Sequence, residues 1–126
     1  MLGPVRVTRA FLPLLRAACL PRVVMVSSGM GSLAVTSDPT RLEYGIASLI
    51  YPSSKAALNM ITTQYAKALP GWKVNAADPG YRATDLNEHR AHQTVEEGAR
   101  VIVRLATLGD DGPTGGFFDE AGTVPW

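Results

Sequence analysis

The stretch Arg22-Val-Val-Met-Val-Ser27 decides the fold of this 126-residue chain. It is a short apolar run without polar alternation, a pattern typical of a strand that is buried on both faces. Strands of this kind belong to parallel sheets that are covered by helices. The small residues that follow, Ser28-Gly-Met-Gly-Ser32, end the strand. Open α/β sheets bind their ligands at that end of their strands, so we expect a site there.

Helices and strands alternate on both sides of this stretch. In chain order we predict a helix over residues 4–19, the strand, an irregular segment over 33–50, a helix over 51–69, a strand over 73–77, a loop over 81–93, a helix to about residue 107 and a last strand over 115–119. Alternation of this kind indicates βαβ units on a parallel sheet. Because three strands make a narrow sheet, the sequence predicts an α/β fold that is half of a doubly wound domain.

The patterns also predict which faces of two helices are buried. The apolar side of the first helix includes Val7, Ala10, Phe11, Leu14, Leu15 and Ala18. Thr94-Val-Glu-Glu97 has the form of a capping box that opens the last helix. The residues of that helix expected in the core are Ala99, Ile102, Val103 and Ala106.

Composition and charge exclude several classes of protein. Apolar residues make up 46% of the chain and charged residues 18%, as in globular proteins. A net charge of +1 gives no overall field that would attract nucleic acid or an anionic membrane. No stretch approaches the roughly 18 apolar residues of a membrane span, and Arg16 interrupts the apolar start in a way that argues against a targeting signal. Cys19 is the only cysteine, so an intramolecular disulfide is excluded and a reducing, cytoplasmic setting is expected.

Tyr51 and Lys55 are the first candidates for chemistry. They begin the predicted helix as Tyr51-Pro-Ser-Ser-Lys55, and Pro52 suits a first helical turn. A spacing of four places both side chains on one helical face, so a phenol and an ammonium address the same small volume. A nearby cation favours the phenolate, which brings proton exchange at neutral pH within reach. With four tyrosines in the chain, a chance match with an ordinary packing tyrosine is the plain alternative.

Three segments, taken in order, resemble the short-chain dehydrogenase/reductase family. The Val-Val-Met-Val-Ser-Ser strand is similar to the one that delivers the family's active-site serine, here Ser28. Tyr51 and Lys55 match its Tyr-x-x-x-Lys pair, and Asn75-Ala-Ala-Asp-Pro-Gly80, followed by Thr84, resembles the segment that lines the nicotinamide. Each motif alone is weak evidence for the family. The three motifs in this order, each at the expected end of its strand or helix, are much stronger evidence.

The resemblance implies an oxidoreductase that transfers a hydride between NAD(P)H and a carbonyl or alcohol substrate. Tyr51 would donate a proton to the carbonyl or accept one from the alcohol. Lys55 would favour the phenolate and hold the ribose hydroxyls of the cofactor, and Ser28 would hydrogen-bond the substrate oxygen. An ordinary serine at the end of a strand is the alternative for Ser28.

The resemblance also implies a cofactor site. Tyr51 and Lys55 would contact the cofactor, and Pro79, Gly80 and Thr84 would shape its nicotinamide end, where a plain turn is the alternative. The cofactor that the resemblance implies is NADP or NAD, and the carbonyl-reductase-like look of the segment between Ser28 and Tyr51 favours NADP. No metal is implied.

The match covers nearly the whole chain but corresponds only to the C-terminal half of the family. The family's glycine-rich phosphate loop follows its first strand, and nothing in this sequence corresponds to it. We therefore expect residues 1–126 to form a single partial NAD(P)-binding, Rossmann-like domain, and a partial sequence or a misplaced start is the simplest explanation. Whether this chain alone turns over substrate is a separate question. Without the phosphate loop the cofactor lacks its main anchor, and catalysis tolerates little error in the placement of the reacting groups.

Other functions fit less well. A serine hydrolase is disfavoured because Val26 stands where a Gly-x-Ser-x-Gly motif around Ser28 would need glycine. Asp85, His89 and His92 have a spacing that could gather a metal, but their segment is polar and loop-like, so a solvated cover over the substrate is expected instead.

The main competing hypothesis is a catalytically inactive, truncated relative that acts as a dimerising module. The predicted helices at 4–19 and 51–69 resemble those through which family members pair by forming a four-helix bundle. They predict a homodimer or tetramer, and a truncated chain could keep this interface without turnover.

Overall fold

The computed structural model describes residues 2–80 and 94–126. Its helices and strands are α1 (Leu2–Ala17), β1 (Arg22–Val26), α2 (Leu33–Thr36), α3 (Ile50–Ala68), β2 (Lys73–Ala77), α4 (Val95–Ala106) and β3 (Phe117–Phe118). Short 3-10 turns at Gly29–Gly31 and Leu42–Gly45 lie on either side of α2. The predicted order of the main helices and strands is confirmed, and the segment 33–50 that was expected to be irregular contains two short helical turns, α2 and the 3-10 turn at Leu42–Gly45. The predicted loop at 81–93 lies outside the described residues.

The three strands form one parallel sheet in the order β1-β2-β3. Arg22 pairs with Lys73 and Val26 with Ala77, while Ala76 pairs with Phe117. Because β2 lies between two neighbours, four of its five residues are buried. This confirms the predicted α/β fold with a parallel sheet and flanking helices.

The expectation that β1 is buried on both faces is wrong for most of the strand. Only Met25 is buried, and Val26 is 43% exposed. The reason is its place in the sheet, since β1 pairs with β2 and lies at the edge of the three described strands. An apolar run therefore identified the strand correctly, whereas the buried position in this sheet belongs to β2.

Two core clusters lie on opposite faces of the sheet, because successive residues of a strand point to opposite sides. Ala76 and Phe117 pack with Val35 and Val124 on one face, whereas Ala77 packs with two residues of α4 on the other. α3 packs against β2 and against the 3-10 turn at Gly29–Gly31. This last contact brings α3 to the carboxyl end of β1.

The buried face of α4 differs from the predicted face. Its buried residues are Gly98, Val101 and Leu105. Of the four residues predicted, Ile102 is partly buried and Ala99, Val103 and Ala106 are exposed. Both sets have helical spacing, so periodicity alone does not separate them. The capping box at the start of α4 is confirmed, since Thr94 and Glu97 exchange both hydrogen bonds.

The predicted apolar side of α1 is likewise mostly exposed, and of its six residues only Leu15 is partly buried. Val7, Phe11 and Leu14 are 59%, 54% and 68% exposed, and the one buried residue of the helix is Thr8. The partly buried positions of α1 are Pro4, Val5, Leu12 and Leu15. The sequence of an amphipathic helix shows which of its sides is apolar but not what covers that side. In the described part of the chain, the side of α1 that packs is the one next to the predicted apolar side.

Candidate active site

Three of the predicted site residues, Ser28, Pro79 and Gly80, lie at the carboxyl ends of β1 and β2. Ser28 follows β1, and Asp78, Pro79 and Gly80 follow β2. The two ends are adjacent because the strands are in register, and the Ser27 N–H extends the ladder by donating to the Ala77 carbonyl oxygen at 2.7 Å. Two loops with different side chains are therefore held side by side, as at the ligand-binding edge of open α/β sheets.

Ser28 is fixed by the turn that follows it. Its backbone is extended, with φ −165° and ψ 150°, and its side chain caps the turn Gly29–Gly31 by accepting a hydrogen bond from the Met30 N–H at 3.3 Å. A hydroxyl accepts and donates at the same time. The hydrogen of this partly buried hydroxyl can therefore be donated to a ligand oxygen.

Tyr51 and Lys55 lie in the first turns of α3, which starts at Ile50. Pro52 occupies the first turn, where its missing N–H has no helical partner to lose. The ammonium nitrogen of Lys55 lies 5.6 Å from the centroid of the Tyr51 ring, within the range of an attractive cation–π contact. Tyr51 is 49% exposed and so remains accessible to a ligand.

Lys55 is also tied to the end of β1. Its Nζ donates a hydrogen bond to the Val26 carbonyl oxygen at 2.8 Å. Burial lowers the pKa of Lys55, and the negative charge of Asp78 acts in the opposite direction. Lys55 thus links α3, where it lies near the Tyr51 ring, to the end of β1, two residues before Ser28.

The close approach of α3 to the serine loop depends on Gly31. A Cβ at this position would lie 2.7 Å from the Lys55 carbonyl carbon and 2.9 Å from the Ala56 nitrogen. These are backbone atoms, which cannot rotate away. Gly31 therefore allows the loop after Ser28 to lie directly against the turn of α3 that carries Lys55.

Asn59 was not predicted from the sequence, although it organises the site. It is 4% exposed and lies one helical turn beyond Lys55. Its Oδ1 accepts a short hydrogen bond from the Ser27 hydroxyl, and its Nδ2 donates to the Gly31 carbonyl oxygen at 3.0 Å. The amide therefore fixes both sides of the loop that carries Ser28. A polar residue four positions after Lys55, on the same helical face, was the signal that could have identified it.

Asp78 is the second residue that sequence reasoning passed over. Its two carboxylate oxygens accept the N–H groups of Gly29 and Gly80, each at 2.8 Å. Burial raises the pKa of Asp78, whereas these two hydrogen bonds lower it. Gly80 has a positive φ of 72°, which glycine adopts without strain.

Two open clefts adjoin the site. One, of about 230 Å³, is lined by Gly29, Asp78, Gly80 and further polar and apolar residues. The other, of about 520 Å³, has an uncharged lining that consists of Met30, Thr36, Ile46, Ala47, Ser48, Leu49 and Pro52. The second cleft therefore lies between the residues that flank Ser28 and those that flank Tyr51.

Thr84, predicted to contact the cofactor, lies outside the described residues, as do Asp85, His89 and His92. Within residues 2–80 and 94–126, no group of three or more His, Cys, Asp or Glu side chains is placed to hold a metal ion. In the same part of the chain, no helix has the length and apolar character needed to cross a membrane.

A family model described as short chain dehydrogenase matches residues 1–95. The chain belongs to the short-chain dehydrogenase family. This confirms the resemblance found in the sequence, and the matched residues include Ser28, Tyr51 and Lys55.

The chain is also similar to individual reductases. The chain is 37% identical to (-)-isopiperitenone reductase from Mentha piperita, over 92% of this chain and 48% of the relative. It is 34% identical to salutaridine reductase from Papaver bracteatum, over 93% of this chain and 48% of the relative. The chain therefore spans about half the length of these relatives.

Solved structures of the family show the same fold. A carbonyl reductase from chicken fatty liver with NADPH bound superposes with a TM-score of 0.82 at 27% identity, covering all of this chain and 54% of that one. The α/β fold predicted from the order of strands and helices is therefore confirmed in the described part of the chain.

Proposed function

We propose that this chain carries the proton-transfer residues of an NAD(P)-dependent oxidoreductase that acts on carbonyl or alcohol substrates. The observation that supports this most directly is the position of Lys55. Its ammonium donates to the end of β1, next to Ser28, while lying against the Tyr51 ring. A phenol, an ammonium and a hydroxyl at one sheet edge form the set of groups that general acid–base catalysis at a carbonyl oxygen requires.

Each side chain has a distinct role in this proposal. In reduction, the Tyr51 hydroxyl donates its proton to the carbonyl oxygen as negative charge develops there, and the Ser28 hydroxyl donates a hydrogen bond to the same oxygen. The positive charge of Lys55 stabilises the phenolate that remains. In the oxidation of an alcohol, the same groups act in reverse, and Tyr51 accepts the proton.

The donor groups of the site fit a nicotinamide cofactor. Lys55 offers an ammonium for ribose hydroxyls, and Tyr51, Pro79, Gly80 and Thr84 are the further residues proposed to contact it. When bound, the nicotinamide supplies or accepts the hydride at its C4. We propose NADP or NAD, with NADP favoured because the matched chicken carbonyl reductase binds NADPH.

The uncharged cleft of about 520 Å³ favours a neutral, largely apolar carbonyl compound. Its lining residues include Met30, which follows the serine segment, and Leu49 and Pro52, which flank the start of α3. Since a charged substrate group would lose water there without gaining a partner, the cleft disfavours it.

The test is a titration of the folded 126-residue chain with NADPH and NADH, following nicotinamide fluorescence. We expect binding by the wild type, weaker binding by Lys55→Ala, and binding that is largely retained in Tyr51→Phe, since the ring that remains can still contact the cofactor. Lys67→Ala and Tyr65→Phe are matched controls, because they remove the same groups near the end of α3. A folded wild-type chain that binds neither nucleotide would contradict the proposal that this chain holds the cofactor.

We also propose that two copies of the chain pair through α1 and α3. The apolar residues Val7, Phe11 and Leu14 on α1 and Met60 on α3 are exposed and could be covered by a second copy. Sedimentation velocity tests this. We expect Phe11→Glu to shift the chain toward monomer, whereas Arg9→Glu, on the polar side of α1, should not. A monomeric wild type at all concentrations would overturn the pairing.

A chain that forms dimers but binds no nucleotide would instead favour the alternative hypothesis, a catalytically inactive dimerising module.

For localisation, the single cysteine fits a reducing compartment, and we propose the cytoplasm. Fractionation of cells that express the protein, followed by immunodetection, tests this placement.

A further inference from the structure

We propose that Asp78 is a positioning residue of this site, which holds the loop that carries Ser28 against the loop that begins at Pro79. The inference rests on the proposed function, because it assigns Asp78 the task of placing groups for that reaction. It starts from a hydrogen bond that joins residues 49 positions apart in the sequence.

The carboxylate connects the two loops directly. Oδ2 accepts the N–H of Gly29, the residue after Ser28, and Oδ1 accepts the N–H of Gly80, both at 2.8 Å. A Cβ on Gly29 would lie 3.0 Å from Oδ2, so the absence of a side chain there leaves room for the carboxylate. Hydrogen bonds to an ionised acceptor are roughly twice as strong as neutral ones.

Asp78 is itself held by the sheet. Its backbone N–H donates to the Phe118 carbonyl oxygen at 2.7 Å, directly after β2 ends. The preceding residue, Ala77, accepts from the Ser27 N–H, also at 2.7 Å. The carboxylate therefore extends from a backbone that is bonded on both sides, and so it can define the position of the more exposed loops.

The charges around Asp78 connect it to the lysine. Burial raises its pKa, the N–H groups that it accepts lower it, and the carboxylates of Asp119 and Glu43 raise it further. Lys55 on α3 faces this negative charge. Burial lowers the pKa of Lys55, and the charge of Asp78 raises it. Arg41 and Glu120 line the same cleft. Asp78 thus compensates part of the cost of burying a positive charge beside Tyr51.

The wild-type chain tests the hydrogen bonds without mutation. In an NMR pH titration of the 126-residue chain, protonation of Asp78 should move the amide signals of Gly29 and Gly80 with one shared midpoint, above the ordinary aspartate value. Two different midpoints, or no titration at Gly29, would overturn the proposal.

Asp78→Asn supplies a second measurement. An amide keeps one acceptor and loses the charge, so hydrogen exchange at Gly29 or Gly80 should accelerate by about tenfold or more. The titration of the Lys55 side chain, followed by its ¹³Cε signal, should move to lower pH. A merely structural role would leave the lysine titration in place.

Glu43→Gln is the matched control. It removes a nearby negative charge, but Glu43 makes no hydrogen bond to either glycine in the described part of the chain. We expect unchanged exchange at Gly29 and an unchanged lysine titration. Equal effects of Asp78→Asn and Glu43→Gln on the lysine would overturn the specific role of Asp78.

These measurements need neither cofactor nor turnover, so the two proposals fail separately. A shared glycine midpoint in a chain that binds no nucleotide contradicts the proposed function and leaves the hydrogen bonds in place. Nucleotide binding together with independent glycine midpoints contradicts the role of Asp78 alone.

Discussion

Gly31→Ala should destabilise the chain because the added methyl group meets the backbone of α3. The new Cβ would lie 2.7 Å from both the carbonyl carbon and the Cβ of Lys55 and 2.9 Å from the Ala56 nitrogen. Neither the helix nor the turn that Ser28 caps can relieve these contacts by rotating a side chain. The loop and the helix must therefore move apart.

The size of the effect follows from two opposing terms. Overpacking a tight contact costs about 1–3 kcal/mol, and replacing glycine by alanine recovers about 0.4–1 kcal/mol by restricting the unfolded chain. We expect the free energy of unfolding to fall by about 1–2 kcal/mol. With a urea m-value of about 2 kcal/mol/M, the midpoint moves down by about 0.5–1 M.

The assay is equilibrium urea unfolding, followed by tryptophan fluorescence and by circular dichroism. Gly45→Ala is the matched control, because a Cβ at Gly45 meets nothing within 4 Å. It should change the free energy by no more than about 0.5 kcal/mol. Equal midpoints for the two variants would refute the argument that close backbone approach requires Gly31.

Three further predictions concern buried polar groups and one helix start. Asn59→Ala should lower the free energy of unfolding by about 2–4 kcal/mol, because two buried partners lose their hydrogen bonds. Met60→Ala, on the exposed side of the same helix, should cost much less. Comparable losses for the two variants in urea unfolding would count against the bridging role of the amide. Thr94→Ala should cost about 1 kcal/mol through loss of the capping box, and unchanged thermal unfolding would contradict this. Because the folded pKa of Asp78 is raised, the folded state binds more protons than the unfolded state above about pH 4, so stability falls as pH rises through that window. Asp78→Asn should flatten this part of the pH profile of urea unfolding, and an unchanged slope would contradict the raised pKa.

The sequence predicted the elements well where the local pattern is unambiguous. The apolar run at β1 and the capping box at Thr94 each have one reasonable interpretation, and both elements lie where expected. The positions of Ser28, Tyr51 and Lys55 at the ends of β1 and at the start of α3 were also predicted. These positions follow from strand ends and helical spacing, which are local properties of the sequence.

Predictions that depend on packing between elements succeeded less well. In α4, two neighbouring stripes have helical spacing, and the sheet packs against the one that was not predicted. In α1, most residues of the predicted apolar side are exposed. The roles of Asn59 and Asp78 depend on partners 28 to 49 residues away, which no local pattern indicates. Such contacts are set by strand register and by the approach of α3 to the loop.

The hydrogen bond from Lys55 to the Val26 carbonyl oxygen limits what the lysine can offer to a ligand. An ammonium has three N–H donors and no acceptor, so within residues 2–80 and 94–126 one is bonded to the chain and two remain. Two donors on one nitrogen suit two neighbouring hydroxyl groups, whereas the planar fork of an arginine suits a carboxylate. Because the acceptor that orients Lys55 is a main-chain carbonyl, replacing the Val26 side chain would not remove this hydrogen bond. An alanine scan of β1 would therefore miss the atom that directs the lysine.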